Sequence, residues 1–478
     1  MSEHFPLMVP GAGACQRTVE VTAPWDGATI ATIDSGDAAA VEQALATADR
    51  VFRDRDGWLP AARRLEILER TAALMGERRD ELAVEAAREG GKPLIDSRVE
   101  VDRAIDGVKL CIETLRTQAG REIPMGLNAA SAGRLAFTRH EPIGPVLAFS
   151  AFNHPLNLIV HQVAPAVAVG CPAIVKPAEA TPLSCMRFVA ILREAGLPEE
   201  WCQALLCKDH EVAGALASDP RIGFFTFIGS GRVGWMLRSQ LAPGTRCSLE
   251  HGGVAPVIVA ADADLDTALP LIAKGGFYHA GQVCVSVQRV FAEARVAREL
   301  AERLAAAASE LTVGDPTSAD TEVGPLIKEA EVTRVDEWVR EGASAGEIVT
   351  GGKPVSSRAY APTVLFDPAA DARVSTHEVF GPVVCVYPVD TVDEGIERAN
   401  SLPYSFQAAA FTRDLDTALR ASQRLDAAAV MINDHTAFRV DWMPFAGLKE
   451  SGYGIGGIPY TMHDMQVEKM TVIRSTEL

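Results

Sequence analysis

The stretch HAGQVCVSVQR, residues 279–289, sets one thiol, Cys284, between two valines directly after an Ala-Gly-Gln turn. A thiolate attacks an electrophilic carbon readily, whereas a cysteine among small and apolar residues ordinarily packs in a core. Its immediate neighbours do not separate these readings. A second candidate for chemistry is GSGRVG, residues 229–234, a literal G-x-G-x-x-G between the apolar GFFTFI and the helix-like RVGWMLRSQL. Glycines there let a backbone approach a pyrophosphate, and the following helix N-terminus offers N–H donors to it. Two acids follow apolar runs: Glu250 in RCSLE and Glu179 in AIVKPAE. In the ordinary dinucleotide pattern an acid about 20 residues beyond the glycines binds the ribose, which favours Glu250. Glu179 is placed for the same task, so the two roles stay open at this point.

Positioning such groups requires a scaffold, and the apolar rhythm supplies one. Residues 38–56 and 60–89 carry helical periodicity, the second stopping at Gly90-Gly91. From residue 144 short apolar runs alternate with helical stretches: GPVLAFS, CPAIVKP, WCQALLC, GFFTFIG, RCSLE and APVIVA. Runs of four to seven residues bounded by Gly, Pro or Asp are the pattern of buried parallel strands with crossover helices. After Cys284 the alternation resumes through PTVLFDP, VVCVYPV, QAAAFTR and AAVMIND. The expected class is α/β, with two or three domains in 478 residues and a hinge near His251-Gly252-Gly253.

Bulk properties narrow the partners. A net charge of −18 disfavours nucleic acid and anionic membrane surfaces, and no apolar run approaches the ~20 residues of a membrane span. Nine scattered cysteines without a CxxC suggest neither a disulfide framework nor a metal site, and the N-terminal MSEHFPLMVPGAG lacks the features of a signal peptide. A reducing cytoplasm is the expected home.

Seven segments together resemble the NAD(P)-dependent aldehyde dehydrogenases over nearly the whole chain: EPIGPVLAFSAFNHPLN, IVKPAEATPLS, FTFIGSGRVG, SLEHGGVAPVIV, YHAGQVC, HEVFGPVV and MPFAGLKESGYG. The resemblance implies a Rossmann-like NAD-binding domain over 1–119 and 143–252 and a catalytic domain over 253–450. It also implies a small β oligomerisation element over 120–142 and 460–478, and a homodimer or homotetramer. By the same resemblance Cys284 matches the nucleophile, Asn153 the side-chain amide of the oxyanion hole, and Glu250 the base that activates the hydrolytic water. Glu179 then takes the ribose, where its charge would repel a 2′-phosphate, so NAD is expected over NADP. Lys176 resembles the ribose-binding lysine, Gly229 and Ser230 the pyrophosphate loop, and Glu378 and Phe380 the pair holding the nicotinamide ribose and ring, with Phe152 beside them.

Departures from the family pattern are specific. His251 replaces a common Leu, Ile228 a Thr, and Ala446 a Gly, while Gln162 and Gly456 stand where a Lys and a Glu usually form a proton relay behind the base. MINDHTAFRVDWMPF, residues 431–445, resembles the branch that includes lactaldehyde, phosphonoaldehyde, sulfoaldehyde and semialdehyde dehydrogenases. Arg439 falls where relatives acting on apolar aldehydes place an aromatic residue, and a guanidinium there can fork a carboxylate, phosphonate or sulfonate. The competing expectation pairs Arg439 with Asp441 or Glu450. His154 and His161 match tunnel positions and could donate to substrate, with Trp442, Tyr278 and Phe152 as apolar walls. The expected reaction is NAD-dependent oxidation of a small anionic or hydroxylated aldehyde, with no metal. The rivals are a CoA-acylating relative, which generally lacks the acid at 250, and a silent member of the family serving as a binding protein.

Overall fold

The computed structural model describes residues 3–13, 15 and 17–478. Met1 and Ser2, part of the N-terminal stretch read for a leader, lie outside the described residues. Two large sheets dominate. The first has six strands in the order Gly452–Tyr453, Arg246–Glu250, Phe224–Ile228, Val146–Phe149, Ala173–Lys176 and Cys202–Ala204. All neighbours pair in parallel except Gly452–Tyr453, which runs antiparallel to Arg246–Glu250. The second has seven strands: Glu347–Thr350, Thr363–Phe366, Val383–Val389, Arg289–Glu293, Pro256–Val259, Gln407–Phe411 and Ala429–Ile432. It too is parallel apart from its first strand. The chain passes from one sheet to the other across residues 251–255. A third sheet joins Gln466–Arg474, Arg134–Pro142 and Glu122–Ile123, all antiparallel.

All ten apolar runs named above contain strand residues. Most are buried on both faces, as crossover helices require, with Val146–Phe149 and Gln407–Phe411 buried throughout, while Arg246–Glu250 and Ala429–Ile432 are partly exposed. Two of the helices depart from the predicted spans. The first ends at Arg53, because the Asp54 N–H closes the last turn onto the Arg50 carbonyl and a separate short turn follows. The stretch 60–89 divides into Ala61–Glu77 and Arg79–Gly90, breaking at Arg78. The strand Arg289–Glu293, central in its sheet, was not anticipated. Its run opens on a charged residue, yet Arg289 is buried because its guanidinium donates to the carbonyls of Val254 and Ala399. Among the described residues no helix is long and apolar enough to cross a membrane.

This topology gathers the chemistry. Phe149, Lys176, Ile228 and Glu250 all end parallel strands of the six-stranded sheet, so the loops beyond them open on one crevice. The segment bearing Cys284 lies between the helix Leu265–Phe277 and the strand Arg289–Glu293 and reaches that crevice from the other sheet.

Candidate active site

A single cavity of about 920 Å³ runs through the crevice. Phe152, Asn153, His154, Glu179, Gly229, Ser230, Glu250, Cys284, Glu378, Phe380 and Arg439 all line it, so residues more than 280 positions apart in sequence share one wall.

Backbone conformation places the thiol. His279, Ala280 and Gly281 take φ of 49°, 53° and 69°, three consecutive left-handed residues just before Cys284. Such a run is costly for residues with a side chain and persists only where the surroundings impose it. At Gly281 they do: a Cβ would fall 2.0 Å from the Gly381 carbonyl oxygen, so this turn fits only against the bare backbone of the Phe380-Gly381 loop. Phe380 is itself left-handed (φ 46°), and its ring meets Phe152 edge-on with centroids 5.7 Å apart. Asn153 donates from Nδ2 to the Gln282 carbonyl at 2.9 Å, tying the asparagine loop to the cysteine turn. The Gln282 side chain in turn donates to the Pro325 carbonyl and accepts from the Ile327 N–H.

A buried pair fixes that asparagine loop from behind. Glu100 accepts the N–H groups of Leu156 and Asn157 at 2.9 and 3.0 Å and pairs with Lys92, both side chains being fully buried. A carboxylate at those first N–H groups favours the helix Asn157–Val169 by hydrogen bond and by helix dipole. Sequence reading missed Lys92 and Glu100. The one available signal was two charges eight apart, which is as common on solvated helices as in cores.

Electrostatics divide the cavity. Burial pushes the Cys284 thiol up to about 12; the Arg439 guanidinium opposes this, while Glu250 and Glu378 add to it. Burial also raises Glu250, again with Arg439 pulling the other way. Glu378 is pushed up to about 8 by burial, and its Oε1 is buried without a hydrogen-bond partner. Burial lowers Lys176, and the neighbouring Glu179 charge opposes this. Lys176 is not on the cavity wall; its ammonium lies 5.4 Å from the Phe149 ring centroid.

The residues around Arg439 differ from expectation. Asp441 accepts two hydrogen bonds from Arg103, at 3.1 and 2.6 Å, and one from His161 Nε2 at 2.8 Å. Arg439 Nε stands 3.8 Å from the same carboxylate, so the expected pairing with Asp441 is present as a long ion pair, at a distance too great for a hydrogen bond. No ion pair with Glu450 forms. Since His161 Nε2–H is given to Asp441, its Nδ1 accepts from Arg439 Nη2 at 3.4 Å. Both ring nitrogens are therefore engaged, and His161 lies behind Arg439 rather than on the cavity wall. His154 does face the cavity, with Nε2 3.3 Å from the Tyr278 hydroxyl, and burial keeps its ring neutral. Tyr278 and Phe152 line the cavity, but Trp442 is 54% exposed and does not.

The departures have local causes. His251 packs edge-on against Trp235 and Phe227, with Nδ1 3.0 Å from the Glu450 carbonyl. Gln162 donates to the Phe149 and Thr226 carbonyls, stitching strand ends together, and does not line the cavity. Gly456 is a matter of space: a Cβ there would fall 2.1 Å from Glu250 Oε1. Among the described residues no group of His, Cys, Asp and Glu could hold a metal ion.

Comparison with known proteins agrees with this arrangement. A family profile described as the aldehyde dehydrogenase family matches residues 12–471. A 3-sulfolactaldehyde dehydrogenase of Priestia aryabhattai is 37% identical over 410 residues, covering 86% of each chain. The crystal structure of aldehyde dehydrogenase 21 from Physcomitrella patens, in complex with the reaction product succinate, superposes with a TM-score of 0.95. It is 33% identical, over 100% of this chain and 99% of that one. A glyceraldehyde-3-phosphate dehydrogenase of Methanocaldococcus jannaschii complexed with NADP superposes at 0.91, also 33% identical, over 96% and 100% of the two chains.

Proposed function

This chain belongs to the aldehyde dehydrogenase family, NAD(P)-dependent oxidoreductases of aldehydes, and we propose that it oxidises a small anionic aldehyde to the carboxylic acid with NAD, using Cys284, Asn153 and Glu250. The observation that carries the substrate assignment is Arg439: a guanidinium on the cavity wall, 10% exposed, whose one hydrogen bond among the described residues goes to a neutral imidazole. A buried cation without an anionic hydrogen-bond partner is costly unless a ligand supplies one. Two of the similar proteins carry the same chemistry in their names, a sulfonate in 3-sulfolactaldehyde and a carboxylate in succinate.

In this reading Cys284 passes its thiol proton to cavity water and adds through Sγ to the aldehyde carbon. The resulting oxyanion is stabilised by the Asn153 amide and the Cys284 N–H. NAD, which Glu179, Ser230, Glu378 and Phe380 would hold, would supply the acceptor for the hydride on that carbon, and Cys284 would then carry the acyl group as a thioester. Glu250 then takes a proton from water, the hydroxide adds to the thioester carbonyl, and the Cys284 thiolate leaves. With no Lys or Glu at 162 and 456, the proton on Glu250 is handed to cavity water. The residues suit the cofactor. Glu179 meets the ribose with Lys176 beside it, Gly229 and Ser230 face the pyrophosphate, and Ser230 stands at a helix N-terminus with its side chain free of any capping bond. Glu378, with its unpartnered buried Oε1, and Phe380 with Phe152 hold the nicotinamide end.

The six-stranded sheet with its helices is the NAD-binding domain and the seven-stranded sheet the catalytic one. Gln466–Arg474 pairs on one side only and leaves Met470, Val472 and Ile473 exposed, which supports assembly into a dimer or tetramer.

The test compares kcat/KM for anionic and neutral aldehydes of equal length, measured on the pH plateau. A charge-assisted contact contributes about 1.5–3 kcal/mol, or roughly ten- to hundredfold in favour of the anion. Arg439→Leu should erase that advantage. A mutant that slows both substrates by one factor would overturn the anionic assignment and leave the dehydrogenase assignment standing.

A further inference from the structure

Charge around Arg439 can be counted. Asp441 carries one negative charge, 2% exposed, and spends it on Arg103, which grips it with two nitrogens, and on His161. His161 adds no charge, because its Nε2–H points at Asp441 and its Nδ1 lone pair at Arg439; burial and Arg439 both disfavour a second proton. Lys274, also on the cavity wall, is consumed by Asp96 at 2.7 Å. His154 and His435 are lowered by burial. The other groups facing this end, Glu250, Glu378 and Cys284, are acids that can add only negative charge. At most one positive charge is therefore available to a ligand, that of Arg439, and an ionised Glu250 offsets part of it.

We propose that this arrangement selects for singly charged anions: Arg439 pairs with one negative charge, and Asp441, held by Arg103 on the cavity wall and by His161 behind Arg439, refuses a second. The inference rests on the anionic-aldehyde reading and narrows it. A carboxylate or sulfonate matches a guanidinium that has no anionic hydrogen-bond partner. A phosphate or phosphonate dianion would leave a net negative charge in a desolvated site that already holds Asp441 3.8 Å from Arg439 Nε. Such a substrate should therefore enter only with one proton retained. Asp441 acts here as a positioning residue and does not touch the reacting atoms.

The experiment uses the O-sulfate and O-phosphate esters of one short hydroxyaldehyde, which match in shape and differ in charge, with a neutral aldehyde of equal length as reference. Because kcat/KM refers to free enzyme and free substrate, the enzyme's own titrations cancel in the sulfate-to-phosphate ratio. A phosphate monoester has a second pKa of about 6, so its monoanion is about one part in a hundred at pH 8. The ratio should be about 100 at pH 8, about 10 at pH 7 and within about threefold of parity at pH 6. Asp441→Asn leaves the Arg103 charge unspent, so the ratio at pH 8 should collapse to below about fivefold. A ratio in wild type that does not change with pH, or a preference for phosphate at pH 8, would overturn the proposal without recourse to any variant. So would an Asp441→Asn enzyme that keeps the full slope. Wild type that prefers both esters over the neutral aldehyde, with a flat ratio, sinks this inference alone. No preference for either ester over the neutral aldehyde sinks the anionic reading itself.

Discussion

The Arg439 guanidinium carbon lies 3.6 Å from the centroid of the Phe445 ring. The aromatic face stabilises the cation, and the stack fixes the plane of its donors more firmly than one long hydrogen bond to His161 could. The same charge acts on Cys284 and Glu250, lowering both against their burial. Removing it raises both groups. For a neutral aldehyde, Arg439→Leu should therefore shift the acidic limb of the pH–rate profile to higher pH while leaving the plateau within about threefold; Arg439→Lys should hold the limb in place and lose part of the preference for anions. A limb that stays where wild type has it would mean that Arg439 does not reach the reacting groups.

Cys284→Ala should abolish aldehyde oxidation and leave NAD affinity, read by calorimetry or quenching of protein fluorescence, within about twofold, because other residues build the cofactor site. Near-normal turnover would remove Cys284 from the nucleophile's role.

Glu250→Gln should reduce NAD in a single-turnover burst and then stall at the thioester. In the wild type, burial raises the Glu250 carboxyl above the ordinary range near 4.3. Its base form is thus lost as pH falls through that raised value, and thioester hydrolysis should slow at a pH where an exposed glutamate is still ionised. Stopped-flow separation of burst from steady state reads both effects.

Gly456→Ala tests the space behind the base. A Cβ 2.1 Å from Glu250 Oε1 must displace the carboxylate. Steady-state turnover should fall by about tenfold or more with the burst amplitude intact, whereas equal loss of both phases would mark a folding defect.

Glu179→Ser removes a ribose acceptor and a charge that repels a 2′-phosphate, so the NAD-to-NADP ratio of kcat/KM should narrow by roughly tenfold or more. Wild-type kinetics favouring NADP would contradict the role before any mutation is made.

Much of the scaffold was legible because parallel strands buried on both faces leave continuous apolar runs, and all ten such runs contain strand residues. Arg289–Glu293 escaped because its first residue is charged; only the carbonyls of Val254 and Ala399, supplied by other parts of the chain, make a buried arginine tolerable there. Residues such as Glu250 and Cys284 could be nominated from motifs, since each sits beside glycines or turns whose order along the chain is distinctive.

What the sequence supplied by itself was a set of candidate reacting groups, through the family resemblance of its motifs, and the strands whose ends carry them, through the apolar pattern. What only the tertiary structure decided was the state of those groups. Whether Arg439 hydrogen-bonds Asp441 or only stands 3.8 Å from it depends on Arg103, 338 positions from Asp441, holding that carboxylate with two nitrogens. Which nitrogen of His161 holds the proton depends on the same carboxylate, Asp441. Charge balance in a desolvated cavity is a sum over neighbours in space, and the order of residues along a chain does not contain that sum.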